Sequence, residues 1–192
     1  MIRLGASFAS AGLSANFWTG VGLVISIVAG VAYASANLGL PKYYAAVIGG
    51  ALLLISGFFD IVDGSVARVT KQTSKKGAFL DSSFDKIAEV IIFAGIVYGQ
   101  LADAFWCIIG VGISILVSYT RARAESLGIE LKGVGIGERA ERLLIIAIIG
   151  MIPLGRFPEG TAMNCAVVIV TIVAGVTLIQ RIVATSKKLS SI

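Results

Sequence analysis

Apolar residues gather along this chain in six stretches, over residues 17–36, 43–63, 78–100, 104–121, 141–155 and 161–181. A helix of about 20 residues crosses the hydrocarbon core of a bilayer, so the pattern predicts six transmembrane helices. The second is expected to continue as helix past its apolar part. The fifth is short and extends backward through 138–141. Residues 1–13, MIRLGASFASAGL, are mildly amphipathic and predict a short N-terminal interfacial helix. The run 17–36 is long enough to span, and no small-residue cleavage site follows it, so it reads as a span rather than a leader. With no internal repeat and no low-complexity linker, residues 1–192 read as one membrane domain.

Composition strengthens this reading. The chain is 57% apolar and 14% charged, against about a quarter charged in a typical soluble domain. Its 23 glycines and 3 prolines suit closely packed membrane helices with small residues at their contacts. The expected fold class is an all-α integral membrane protein. The net charge of +5 then marks the cytoplasmic side and contacts to lipid or substrate phosphates, not nucleic acid.

Charge also orients the spans. Six crossings place both termini on one face, together with the connections at 64–77 and 122–140. Lys42 and Arg156 are the only basic residues on the opposite face. By the positive-inside rule, the termini and the two basic connections face the cytoplasm, at the cell membrane. Cys107 and Cys165 lie in apolar stretches without a CxxC spacing and read as buried free thiols. The chain has no histidine, so a general base must be Asp, Glu, Lys, Tyr or water.

Four aspartates stand out against this background, in FFDIVDGSVARVTKQTSKKGAFLDSSFDK at 58–86. A carboxylate at bilayer depth is costly and needs a reason. At about 100° per residue, Asp60, Asp63, Gly64 and Ala67 share one stripe of the second helix. Gly77, Asp81 and Asp85 recur at i, i+4, i+8 on the third, with Glu89 a turn deeper. Two antiparallel helices can thus aim four carboxylates at one point, where their repulsion calls for cations. All-oxygen ligation suits Mg²⁺, Mn²⁺ or Ca²⁺. Such ions clamp phosphates, and the glycines let a phosphate approach the backbone. Pairing with Arg68, Lys71, Lys75 and Lys86 would explain one aspartate more easily than four. An ion-transport path is the other reading, yet VIIFAGIVYG beyond Glu89 supplies no polar residues for one.

The spacing Asp60-x2-Asp63-Gly64-x2-Ala67-Arg68-x8-Gly77-x3-Asp81-x3-Asp85 resembles the signature of the CDP-alcohol phosphotransferase family. The resemblance implies displacement of CMP from a CDP-alcohol by a second alcohol. It implies two divalent ions, Mg²⁺ or Mn²⁺, held by Asp60, Asp63, Asp81 and Asp85, with Asp85 also the base. Asp60, Gly64, Ala67, Arg68, Gly77 and Asp81 would bind the CDP-lipid, and a homodimer is implied. LSANFWT resembles a further family stretch, and adds Asn16 and Thr19 as nucleotide-side contacts; Ala15 stands where proline is usual.

The arginines address the acceptor. SYTRARAESLGIELKGVGIGERAERLLI at 118–145 carries Arg121, Arg123, Arg139 and Arg142, and Arg181 ends the sixth span. Arg121 and Arg123, two apart, cannot share one helical face. Five arginines beside a metal-phosphate site suggest a phosphorylated second substrate. The stretch resembles that of the family's phosphatidylinositol-phosphate synthases and their archaeal ether-lipid counterparts, with Arg121 where Lys is usual and Ala140 where Pro is usual. That resemblance implies myo-inositol 1-phosphate as acceptor. Ser118, Arg121, Arg142 and Arg181 would bind its phosphate, with Arg123 and Arg139 in support. Glycerol 3-phosphate is the nearest rival acceptor, and a cation transporter the alternative from another class.

Overall fold

A computed structural model describes residues 2–70, 74–131, 133–153, 158 and 160–190, and among them every regular element is helical. Helices α1 (Ile2–Ala9) and α2 (Ala15–Ala34) lead through a short 3-10 turn, Ser35–Leu38, into α3 (Lys42–Val69). Then follow α4 (Lys75–Tyr98), α5 (Ala104–Ser126), α6 (Arg139–Gly150) and α7 (Thr161–Leu189). Of the residues used to orient the spans, Lys71, Lys132 and Arg156 lie outside the described ones.

Helix starts follow from local chemistry. The hydroxyl of Ser14 accepts from Phe17 N–H at the head of α2, and that of Ser74 accepts from Gly77 N–H at the head of α4. Asp103 caps α5 through the N–H groups of Phe105 and Trp106. Each cap satisfies donors that a first turn leaves without partners. Helix α6 opens with a reciprocal capping box between Glu138 and Glu141.

Four helical segments are long and apolar enough to cross a membrane: Ala15–Leu38, α3, α5 and α7. The other two of the six expected spans fall short for physical reasons. The first 15 of the 24 residues of α4 carry Lys75, Lys76, Asp81, Asp85, Lys86 and Glu89. Helix α6, starting at Arg139 as its backward extension predicts, has 12 residues, about 18 Å at 1.5 Å per residue. The exterior is nonetheless that of a membrane protein. Val24, Val31, Ile108, Ile172 and Ile179 are all more than half exposed around the perimeter. Cys107 is buried as expected, but Cys165 is exposed on α7.

Helices α2, α3 and α4 pack into one layer, α5 pairs with α7, and α6 lies against α3 and α7. Tyr33, Leu53, Ile92, Phe93, Ile146 and Met163 fill the space between them. Between α2 and α3, the Ser26 and Ser56 hydroxyls meet at 2.6 Å, and Ser56 donates to the Gly22 carbonyl at 2.9 Å. Helices α2 and α4 touch backbone to backbone. A Cβ on Gly95 would collide with the Gly30 carbonyl oxygen, and one on Gly99 with that of Tyr33.

The segment from α5 to α6 folds back onto α7. Ile129 and Leu131 are buried against Ala124, and the Gly137 N–H donates to the Thr177 hydroxyl at 3.0 Å. Arg181, 4% exposed, donates from Nε to the Val134 carbonyl at 3.0 Å and from a terminal nitrogen to the Val117 carbonyl at 2.9 Å. Lys188 donates to the Glu130 carbonyl. One buried guanidinium thus ties the end of α5 and the following loop to α7.

Two outcomes follow. Gly95→Ala drives a methyl into a backbone oxygen that no rotamer change can move. It is expected to cost about 1–3 kcal/mol, read as a lower melting temperature in detergent, and an unchanged melting curve would contradict the close approach. Arg181→Ala leaves the Val134 carbonyl without its donor and cuts the link to Val117, and amide hydrogen exchange over 127–138 is expected to accelerate while exchange in α2 and α3 stays slow.

Candidate active site

The aspartates meet where α3 ends and α4 begins. Asp60 and Asp63 sit one turn apart on α3, within its last three turns, and the Ser74 cap sets the phase of α4 so that Gly77, Asp81 and Asp85 face them. Carboxylate oxygens of Asp60, Asp63 and Asp81 all lie within 4.8 Å of one another. The Oδ2 atom of Asp63 is buried with no hydrogen-bond partner. An oxygen of that kind loses hydration with nothing in return, a position a cation would relieve. Three carboxylates and no imidazole or thiolate form a donor set suited to a hard divalent ion.

Asp85 stands apart from the trio. Its Oδ1 is held by Arg139 at 2.6 Å, and the same guanidinium nitrogen reaches Asp60 Oδ1 at 3.4 Å. Arg139 therefore brings positive charge from the first turn of α6 into the acidic corner. Asp85 is 24% exposed and Asp60 40%, so both can reach a ligand arriving from solvent. A small cavity beneath them, about 20 Å³, is lined by Thr19, Ser26, Ser56, Asp63 and Asp85.

Beside the trio opens a cavity of about 220 Å³. Its wall includes Asn16 and Thr19 from α2, Asp63, Gly64, Ala67 and Arg68 from α3, and Gly77 and Asp81 from α4. The structure thus gathers the nucleotide-side candidates around one space, with Asp60 on its far side. A Cβ on Gly77 would press on the Asn16 side-chain oxygen at 3.1 Å and the Ser74 hydroxyl at 3.2 Å, so a larger residue there would crowd the slot. Arg68 is exposed at the rim and donates to Ser65 at 3.3 Å.

The remaining arginines divide. Arg142 is 1% exposed, and its terminal nitrogens donate to Glu89 at 3.0 Å and to the Gly137 carbonyl at 2.8 Å. Arg181 is buried in the loop contacts described above, near enough to Arg121 and Arg142 to be repelled by both. Arg121 is exposed and paired with Glu125 at 2.9 Å. Ser118 is partly buried on α5 and donates to the Ser114 carbonyl at 3.4 Å. Arg123 leaves the group: it lines a separate groove between α5 and α7, with Tyr119 and Ile182.

Sequence reasoning passed over several residues that shape this corner. Ser26 and Ser56 look like isolated polar residues in apolar runs, and only their facing positions on α2 and α3 link them. Glu89 extends the α4 stripe by one turn, which was legible; its pairing with Arg142 was not. Below Glu89 the interior closes with Ile92, Phe93 and Ile96, each at most 2% exposed.

Known proteins resemble this chain in sequence and in fold. The sequence profile of the CDP-alcohol phosphatidyltransferase family matches residues 13–180. The chain is 37% identical over 171 residues to the archaetidylinositol phosphate synthase of Methanothermobacter thermautotrophicus, covering 89% of this chain and 82% of that protein. Against the enzyme of the same name from Pyrococcus horikoshii it is 34% identical over 190 residues, covering 97% and 91%. A phosphatidylinositol phosphate synthase of Cutibacterium acnes is 35% identical over 146 residues, with 70% of each chain covered. Two crystal structures of the phosphatidylinositol phosphate synthase of Mycobacterium tuberculosis share the fold. The one with CDP-DAG bound has a TM-score of 0.77 at 23% identity, covering 96% of this chain and 92% of that one. The one in complex with manganese and citrate scores 0.78, also at 23%, covering 95% and 87%. Fold, aspartate spacing and the length of the profile match converge on one conclusion: this chain is an enzyme of the CDP-alcohol phosphatidyltransferase family.

Proposed function

We propose that the enzyme moves the phosphatidyl-type group of a CDP-lipid, diacyl or archaetidyl, to a hydroxyl of myo-inositol 1-phosphate and releases CMP. The observation that carries this reading is the acidic corner itself, with Asp60, Asp63 and Asp81 facing one another and Asp85 held under Arg139. The relatives named archaetidylinositol phosphate synthase and phosphatidylinositol phosphate synthase support the acceptor.

Asp60, Asp63, Asp81 and Asp85 are the residues that would hold two divalent ions, Mg²⁺ or Mn²⁺. Bound there, such ions neutralise the pyrophosphate and make CMP a better leaving group. Asn16, Thr19 and Arg68 contact the nucleotide, while Gly64, Ala67 and Gly77 keep the slot free of side-chain bulk. The acceptor oxygen bonds to the lipid-bearing phosphorus, the bond from that phosphorus to CMP breaks, and the hydroxyl proton passes to Asp85. Arg139 orients the Asp85 carboxylate for that transfer.

On the acceptor side, Arg181 feels the positive charge of Arg121 and Arg142, offset in part by Glu138 and Glu125, and a phosphate dianion would be drawn to the same guanidiniums. The Nε groups of Arg139 and Arg142 are buried without a partner, which leaves donors for that anion. Ser118 adds a hydroxyl, and Arg123 stands outside the cluster.

The same reading takes α4 and α6 as the third and fifth of six spans, with α1 lying in the membrane interface. The corner and both termini face the cytoplasm at the cell membrane, residues 1–192 work as one domain, and the enzyme is a homodimer. The excess of Lys and Arg on one set of connections supports that orientation.

Purified protein in detergent, given CDP-lipid, Mg²⁺ and a panel of acceptors, is expected to turn over inositol 1-phosphate. Turnover of glycerol 3-phosphate alone would overturn the acceptor assignment. Asp85→Asn is expected to slow CMP release by about 10²–10⁴-fold while CDP-lipid still binds. Asp81→Asn is expected to weaken Mn²⁺ binding measured by calorimetry; undiminished binding would remove Asp81 from the ligand set.

A further inference from the structure

We infer that Glu89, which touches no substrate, is a positioning residue that sets the acceptor-side arginines through its buried pair with Arg142. The inference rests on the acceptor reading above and deepens it.

Two ion pairs join α4 to α6. Asp85 meets Arg139 at 2.6 Å, and Glu89 meets Arg142 at 3.0 Å. The two carboxylates are four residues apart on α4 and the two guanidiniums three apart on α6, spacings that each return to one helical face. The pairs therefore stack as two rungs about one turn, roughly 5.4 Å, apart. The upper rung opens to the active site, with Asp85 24% and Arg139 17% exposed. The lower rung is sealed, at 0% for Glu89 and 1% for Arg142.

The lower rung is also tied on both sides. The second oxygen of Glu89 accepts from Lys86 on its own helix. Arg142 donates onward to the Gly137 carbonyl, and the Gly137 N–H donates to Thr177 on α7. A continuous line of contacts thus runs from α4 through α6 and the preceding loop to α7.

Such a pair is a poor source of stability, because desolvation offsets the attraction and an apolar pair of similar volume commonly does as well. What it supplies is position. A forked guanidinium and a carboxylate fix each other in distance and direction. Helices α4 and α6 otherwise make little backbone approach to each other, so the lower rung decides how far along α4 the start of α6 stands. A slip of one residue would carry Arg139 about 1.5 Å along the helix axis, enough to lose Asp85. Glu89 thereby governs where Arg139 and Arg142 meet the acceptor, while the nucleotide slot, on the α2 side of α4, is built without it.

The test uses the full-length enzyme in detergent, with CDP-lipid and inositol 1-phosphate. Glu89→Gln keeps the volume and removes the charge. It is expected to raise the KM for inositol phosphate roughly tenfold or more, the scale of a lost charge-assisted contact. The KM for CDP-lipid is expected to hold within about twofold. Glu89→Asp, which restores the charge, is expected to recover part of the loss. Because Glu89 acts through Arg142, adding Glu89→Gln to Arg142→Gln is expected to change the acceptor KM little further. Effects that multiply, or equal losses for both substrates, would overturn the inference. If Glu89→Gln does not fold, the double variant, which leaves no lone buried charge from the pair, is compared with Arg142→Gln and decides the question. An unchanged acceptor KM in Glu89→Gln beside active wild type sinks this inference alone. Wild-type turnover of unphosphorylated inositol only sinks the acceptor reading and this inference with it.

Discussion

Everything in this fold answers to the cost of bringing negative charge together at the edge of a bilayer. Three carboxylates whose oxygens lie within 4.8 Å of one another repel strongly where water is scarce. Arg139 reaches in from α6 to offset that charge, pairing with Asp60 of the trio and with Asp85 beside it. That arrangement asks much of its surroundings. Helices α3 and α4 must keep their phase so that the aspartates converge, and α6 must keep its height so that the guanidinium arrives. The serine pair between α2 and α3, the Ser74 cap and the Glu89–Arg142 pair each serve one of these demands.

The second consequence is a division of labour between two kinds of packing. Helices α2 and α4, which both contribute to the cavity beside the aspartates, are held in backbone contact farther along their length, Gly30 against Gly95 and Tyr33 against Gly99. The acceptor side is assembled from long charged side chains and from a loop pinned to α7 by Arg181 and Thr177. Small residues let backbones approach and hold them rigidly. Guanidiniums reach farther and hold by hydrogen bonds. Both are compatible with a membrane interior, the first because it exposes no polar group, the second because the buried guanidiniums are held by Glu89 and by backbone carbonyls.

Much of this was legible in the sequence because the aspartates and glycines follow helical spacing, which survives any detail of packing. The four carboxylates, Gly64, Ala67 and Gly77 needed only the period of the helix to be placed on facing stripes, whereas Arg68 entered through the family spacing. The arginines were less legible. Arg142 and Arg181 have the composition of ligands, yet in the structure their nitrogens also serve Glu89 and the carbonyls of Gly137, Val134 and Val117. Sequence spacing cannot register such contacts, because they join residues 47, 53 or 64 positions apart. The count of spans blurred for a related reason. Hydropathy averages over a helix, so α4, charged as far as Glu89 and apolar beyond it, reads as a span by one window and not by another.

The backbone contact between α2 and α4 reaches beyond stability. Where two helices touch main chain to main chain there is no side chain to trim, so the spacing of α2 and α4, which both wall the cavity beside the aspartates, resists most point substitutions. The opposite wall is made of arginines, whose reach changes with every neighbour. Over evolutionary time such a molecule would hold one substrate constant and vary the other. A common activated donor would be kept, and new headgroups explored by exchanging a few long side chains.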